Sequence, residues 1–323
     1  MQEKAEARTR NTTLPEFLDA CYISLHSNLV VQTDATLSTR GDPANAKSKP
    51  RPERLRSWTD FATQQEDIWD TLMSSDFVTK QLFHSLHALS VSGRTTQQRK
   101  LGSEQDLHFF QRLTVDNPVS QIIREMYSDR SLRRKSGLHG AVNFENYANT
   151  LSPEEGIEEA MQQLSVSGTR RRRSPRLQAK ASSSATSNPT DTARNETSRF
   201  TRARVDQFCI YNTSDDQRVA AFVIEYKAPH KIPLGFIYEG LDDMDLDDVV
   251  QYHENESSRD RFRRLIAAVI TQAYSYMIQI GVGHGCVCIG EATIFLRVPR
   301  NPTTVYYFLS VAKGDVGDMT GWT

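Results

Sequence analysis

The chain has 323 residues, a formal net charge of −1 and 38% hydrophobic residues, enough apolar material for about two domains with a proper core. Its four cysteines, Cys21, Cys209, Cys286 and Cys288, show no framework spacing, which argues against a disulfide-stapled secreted scaffold and for a reduced, intracellular protein. The near-zero net charge identifies no partner because the charge is unevenly placed: between Arg170 and Arg204, nine arginines and Lys180 face only Asp191 and Glu196.

The N-terminal "MQEKAEARTRNTT" is charged and lacks the apolar core of a secretory signal. From Leu14 to about Leu164 the apolar residues recur at three and four, as in "LPEFLDACYISLHSNLV", "QEDIWDTLMSSDFVTKQLFHSLHAL", "DLHFFQRLTV" and "NPVSQIIREMYSDRSLRR". This spacing predicts a mostly helical region over residues 1–164. Between the first two helices, "STRGDPANAKSKPRPERLR" is basic and rich in turn residues, and reads as an exposed loop. "SPEEGIEEAMQQL" offers Ser152 as N-cap, Pro153 at the first helical position and Glu155 at the box position, a well-formed helix start.

Residues 165–198 have almost no apolar content and are dense in Ser, Thr and Arg. Such a segment buries too little to offset chain entropy, so a disordered basic linker is expected. Its "RRRRSPRLQAK", Arg170 to Lys180, matches a nuclear-import patch, and equally a solvated basic linker.

The pattern then changes. "VDQFCIYN" and "RVAAFVIEYKA" read as strands joined by "TSDDQ" into a hairpin. An acidic helix, "GLDDMDLDDVV", and a long helix, "SSRDRFRRLIAAVITQAYSYMIQIG", stopped by Gly281, come next. "GCVCIG", "ATIFLRV" and "TTVYYFLSV" follow as strands whose short connections suit an antiparallel meander. The run Leu265–Gly290 contains no Asp, Glu, Lys or Arg and is long enough to span a bilayer. Its glutamines, histidine and glycines, and its switch from helical to strand spacing, favour a buried helix followed by a buried strand.

Chemistry concentrates at the hairpin. Asp206 opens its first strand, and Glu225 and Lys227 close the second, two apart and therefore on one face. Antiparallel pairing brings the start of one strand beside the end of the next. Two converging carboxylates repel unless a cation lies between them, and an oxygen-only set suits Mg²⁺. A lone Glu-x-Lys on a strand is otherwise an ordinary surface ion pair.

Asp, a hairpin and Glu-x-Lys together resemble the PD-(D/E)XK nuclease superfamily. The resemblance implies a restriction-endonuclease-like α+β fold over residues 199–323: a mixed sheet with flanking helices, following the helical N-terminal region. It implies that Asp206, Glu225 and the Tyr226 carbonyl hold Mg²⁺ or Mn²⁺ and that Lys227 assists the attacking water. Gln272 and Tyr276 in "TQAYSY" match the Gln-x-x-x-Tyr element of the RecB-like branch, sharing one helix face. The stretch from "FVIEYKAPHK" to "GDVGDMTGW" also looks like a fungal group of PD-(D/E)XK-like proteins, whose members often continue into a kinase-like region. On that likeness the chain is expected to be a truncated or short form.

Val205 stands where the family pattern has Pro, and the acid of the first core helix is left open among Glu145, Glu154, Glu155, Glu158 and Glu159. The resemblance implies a Mg-dependent deoxyribonuclease. Its alternative is an inactive member of the fold that serves a fungal multidomain regulatory protein as an interaction module. The helical N-terminal region is expected to shape a groove or bind a protein partner.

Other constellations carry bland readings beside sharp ones. His284, Cys286 and Cys288 alternate on one strand face, but zinc needs a fourth ligand and no partner motif supplies it. "GVGHG" follows a helix instead of opening one, so it reads as a helix stop. His84 and His87 share a helix face with no acid nearby and read as core or boundary residues. Arg259, Arg261, Arg263 and Arg264 are expected to pair with the preceding acidic segment, with phosphate contact as the alternative.

Overall fold

A computed structural model describes residues 2–34, 36, 50–146, 205–213, 217–250 and 255–312. The "SPEEGIEEAMQQL" helix start, the 165–198 linker and its basic patch lie outside the described residues.

The helices are α1 (Gln2–Thr9), α2 (Leu14–Ser24), α3 (Phe61–Met73), α4 (Leu86–Gln97), α5 (Glu104–Gln111), α6 (Asn117–Ser128), α7 (Arg130–Lys135), α8 (Leu234–Gly240), α9 (Leu246–Val250) and α10 (Ser258–Ile280). The strands are β1 (Arg54–Ser57), β2 (Gly140–Glu145), β3 (Gln207–Thr213), β4 (Arg218–Tyr226), β5 (Met244–Asp245), β6 (His284–Cys288), β7 (Ala292–Arg297) and β8 (Thr304–Val311). All eight strands form one mixed sheet in the order β2-β3-β4-β6-β7-β8-β1-β5. The fold is α+β, with helices on both faces of that sheet.

The expected hairpin and meander are both present. β3 pairs antiparallel with β4, and β6-β7-β8 form the antiparallel meander. β4 and β6 are parallel, which requires a crossover, and α10 supplies it. This helix begins with a capping box, Ser257 accepting from Asp260 N–H and Asp260 from Ser257 N–H. It ends at Gly281, whose φ of 80° is the left-handed cap that glycine adopts without strain. Ile266, Ala267, Ile270, Ala273, Tyr274 and Met277, spaced at three and four, form its buried stripe against the sheet.

Three features differ from the sequence expectation. The basic segment expected to be an exposed loop contains β1, with Leu55 fully buried and paired parallel to β8. A strand of four residues beside Pro50 and Pro52 has too short a pattern to stand out from turn chemistry. The single helix expected over "QEDIWDTLMSSDFVTKQLFHSLHAL" is α3, a 3₁₀ turn at Asp76–Thr79 and α4, because the Ser74-Ser75 pair and the Ser85 N-cap restart the chain. The "GLDDMDLDDVV" helix is reduced to α9, with β5 before it pairing on β1.

The sheet also joins regions that read as separate. β1 and β2, from the N-terminal region, occupy opposite sides of the order, β2 outside β3 and β1 outside β8. One core cluster lies between the sheet and α8–α10, and includes Phe208, Val223, Val287 and Tyr274. On the other face, Leu101, Leu107 and Phe110 cover Ile224, Tyr226, Cys286 and Cys288. A third cluster packs the N-terminal helices around Leu14, Phe17, Phe77 and Phe83.

Candidate active site at the end of the β3–β4 hairpin

Strand register decides which side chains meet. Phe208 pairs with Val223 and Gln207 with Ile224, so one further step sets Asp206 opposite Glu225. Phe208 and Val223 both belong to the core under α10. Asp206 and Glu225, two residues outward on each strand, therefore share that face. Directly opposed residues keep their Cβ atoms about 5 Å apart, so the two carboxylates sit side by side. Tyr226 N–H donates to Asp206 Oδ2 at 2.8 Å. A strand residue's carbonyl lies on the same edge as its N–H, which turns the Tyr226 carbonyl toward Asp206.

Glu225 is 1% exposed. Its Oε1 accepts a hydrogen bond from Lys227 Nζ, while its Oε2 is buried without a hydrogen-bond partner. Burial pushes the Glu225 carboxyl up to about 7, and the Asp206 charge adds to this against the pull of Lys227. Asp206 is raised as well, chiefly by burial, with the Tyr226 N–H and Lys227 opposing. Burial acts to lower Lys227, but the Glu225 charge and hydrogen bond, with Glu104 and Asp206, outweigh it and hold the ammonium above its ordinary range.

Gln272 and Tyr276 come to the same place from α10. Gln272 Nε2 donates to Tyr276 Oη at 3.3 Å. The Tyr276 hydroxyl is raised mainly by burial, and it feels the charges of Glu225, Asp206 and Lys227. The five residues singled out from sequence thus form one neighbourhood.

Of the candidates for the upstream acid, only Glu145 lies among the described residues. Glu145 ends β2 and is engaged by Arg218, and Glu154, Glu155, Glu158 and Glu159 lie outside the described residues. Among the described residues, an acid outside those candidates reaches the hairpin: Glu104, the first residue of α5, whose charge acts on Asp206, Glu225 and Lys227. It also pairs with Lys231 at 3.1 Å. The helix pattern starts visibly only at Asp106, which left Glu104 outside it. Ser103, the N-cap that accepts from Asp106 N–H, was the available signal.

Beneath the site runs a buried polar chain that sequence reasoning missed. Tyr226 Oη donates to Gln207 Oε1, and Gln207 Nε2 donates to Asp116 Oδ2 at 2.9 Å. Burial pushes the Asp116 carboxyl up to about 6, against the Gln207 hydrogen bond and Arg112. The chain ties β3 and β4 to the π-helical turn Arg112–Asp116.

The donor set bears on a hard divalent cation. Among the described residues no three His, Cys, Asp or Glu side chains converge as a ready metal cage. Asp206 and Glu225 with the Tyr226 carbonyl still fit Mg²⁺, which keeps several waters and takes one or two carboxylates. The partnerless Glu225 Oε2 is the atom that such an ion would satisfy. The zinc reading has no such support: Cys286 and Cys288 are buried thiols, and His284 stacks on Trp58 with centroids 5.9 Å apart. Three of the four α10 arginines pair as expected, Arg259 and Arg263 with Asp242 and Arg264 with Glu256, while Arg261 makes no ion pair among the described residues.

A family model described as the Spore killer 2 N-terminal domain matches residues 13–323. The chain belongs to that family. It is 26% identical over 333 residues to Meiotic driver SPOK2 of Podospora anserina, covering 100% of this chain and 41% of that protein. No solved structure shows a significant match. This member of the Spore killer 2 N-terminal domain family has, among its described residues, no helix long and apolar enough to cross a membrane.

Proposed function

We propose that this chain is the nuclease-like part of a spore-killer-type protein, a PD-(D/E)XK-like, metal-dependent phosphodiesterase acting on DNA. The observation that carries the reading is the buried Glu225, one oxygen on Lys227 and the other unpartnered, on the same face as Asp206. A structural ion pair has no need of a second acid opposite it, and the repulsion raises the cost of both.

In this reading Asp206, Glu225 and the Tyr226 carbonyl hold Mg²⁺ or Mn²⁺. The ion, when bound, neutralises phosphate charge and acidifies a water. Lys227 stands at the cleavage point as a fixed cation for the charge that develops on the phosphate. The Tyr276 hydroxyl and Gln272 amide orient the substrate. Glu104 is placed as a further acid at the rim and sets the position of Lys231 through their ion pair. The whole-protein role in meiotic drive is an extension from a relative of which this chain covers 41%.

A non-catalytic interaction module is the second reading, favoured by Asp206 being already tied to Tyr226 N–H. Nicking of supercoiled plasmid by the purified chain with Mg²⁺ or Mn²⁺ separates the two. Activity in the wild type and its loss in a folded Lys227→Ala variant supports the phosphodiesterase. Equal nicking by both assigns the activity to a contaminant, and no nicking with no cation binding favours the module.

A further inference from the structure

The acidic site repels the polyanion that it is proposed to cut, so attraction has to come from elsewhere on the surface. One turn along α5 from Glu104 lies a cavity of about 490 Å³ lined by Arg99, Gln105, Asp106, His108, Phe109 and Arg112. Positions 105, 108, 109 and 112 fall on one helical face. Arg99 and Arg112 are both exposed. Neither guanidinium is within salt-bridge distance of a described carboxylate.

The cavity's own acid is engaged: Asp106 Oδ2 accepts from the Ser103 hydroxyl at 2.7 Å and from Gly102 N–H at 3.3 Å. Arg99 lies over the Phe109 ring, 4.7 Å from its centroid, which fixes a cation beside an aromatic surface that is 38% exposed. His108 has a buried Nε2 without a hydrogen-bond partner. Its ring meets that of Tyr226 edge-on at 5.5 Å on the sheet face opposite Asp206 and Glu225, and α5 itself links the cavity to the acids, because its first residue, Glu104, acts on both. From Glu104 to Arg112 is about 12 Å along the helix axis, or some three nucleotides of duplex at about 3.4 Å each.

We infer that this cavity is a nucleic-acid subsite, in which Arg99 and Arg112 hold a backbone phosphate near the cleavage point and Phe109 stacks an unpaired base. The inference rests on the phosphodiesterase reading for the direction of the strand, but the subsite itself needs no metal. Paired arginines suit phosphate oxygens, and an aromatic platform beside a cation is the usual device for a single strand. A strand so held is anchored along α5, on the side of the acids where Glu104 stands.

The test is fluorescence anisotropy with a labelled single-stranded oligonucleotide and its blunt duplex, in EDTA so that nothing is cut. The proteins are the full chain, Arg99→Ala/Arg112→Ala, Phe109→Ala and Asp206→Asn, each checked for folding by circular dichroism. The double variant should bind the single strand at least tenfold more weakly. Its slope of log affinity against log salt should be shallower by about 0.7, for the one phosphate charge that the removed arginines no longer neutralise. Phe109→Ala should lose about tenfold on the single strand and little on the duplex. Asp206→Asn should bind as well as wild type or better.

Unchanged affinity and salt slope in a folded double variant overturn the subsite, even if the wild type cuts DNA. Equal losses on both substrates for Phe109→Ala overturn the stacking. Binding that behaves as expected in a protein that never cuts DNA leaves the subsite standing and removes the phosphodiesterase reading instead.

Discussion

The Tyr226 N–H donates to Asp206 Oδ2 at 2.8 Å across the open end of the β3–β4 hairpin. This bond closes the hairpin beyond its last strand pair and holds Asp206 on the face where Glu225 stands. Removing the Asp206 side chain therefore has two effects of opposite sign. Asp206→Ala should cost about 1.5–3 kcal/mol from the lost charge-assisted hydrogen bond, and should lower the Glu225 pKa by removing the neighbouring charge. Urea denaturation at pH 8 and carboxyl titration by NMR read the two separately. An unshifted Glu225 would mean that the acids do not meet.

Stability should decline with rising pH through the carboxylate range. Glu225 titrates at about 7 in the folded chain against an ordinary 4.5, and Asp116 at about 6 against 3.8. Both groups bind protons more readily folded than unfolded. Their contribution is thus present in full below about pH 4 and is lost as pH rises through 6 and 7. Glu225 alone accounts for a change on the order of 3 kcal/mol. Thermal melts from pH 4.5 to 8 should show the decline, less steeply in Glu225→Gln and in Asp116→Asn. Added Mg²⁺ should restore stability at pH 8 in the wild type but not in Glu225→Gln. A flat profile would contradict the burial assigned to both acids.

Lys227→Met should be costly at pH 8 and milder at pH 5. The substitution leaves Glu225 buried beside Asp206 with no cation, and breaking one side of a buried pair costs about 3–5 kcal/mol. At pH 5 Glu225 carries a proton and has little charge to leave stranded. Equal costs at both pH values in denaturant titrations would show that Lys227 acts through packing alone.

Gly240→Ala tests how α10 is seated. A Cβ at Gly240 would lie 2.7 Å from the Phe262 carbonyl carbon and 2.9 Å from the Arg263 nitrogen, both backbone atoms of α10. Neither can rotate away, so α8 and α10 must separate, at a cost of about 1–3 kcal/mol or more. Tyr276, on the same helix, should shift from the hairpin. The measurement is the melting temperature together with the intensity of tyrosine-to-strand NOEs. An unperturbed melt would show that α8 is not pinned there.

Much of the C-terminal part is legible from local pattern. The alternation of β3 and β4, the glycine stop at 281 and the turn residues between β6, β7 and β8 each depend on a few neighbouring residues. Glu225, Lys227, Gln272 and Tyr276 stand out for the same reason, since fixed spacing on a strand or helix face is a local property. Glu104 and Asp116 carry no such mark. They meet the hairpin only because α5 and its flanks pack on the sheet face that carries Tyr226, a meeting of segments about 120 residues apart in sequence. β1 was hidden similarly: Arg54–Ser57 is a strand because β8 offers it a parallel edge.

What the linear order of residues settled was the hairpin and its pairing of Asp206 with Glu-x-Lys, because strand alternation and antiparallel return are short-range geometry. Packing alone decided which other groups surround them, how deeply Glu225 is buried and which distant acid leans on it. Charge interactions depend on separation in space and on exclusion of water, and neither quantity exists until the helices close over the sheet.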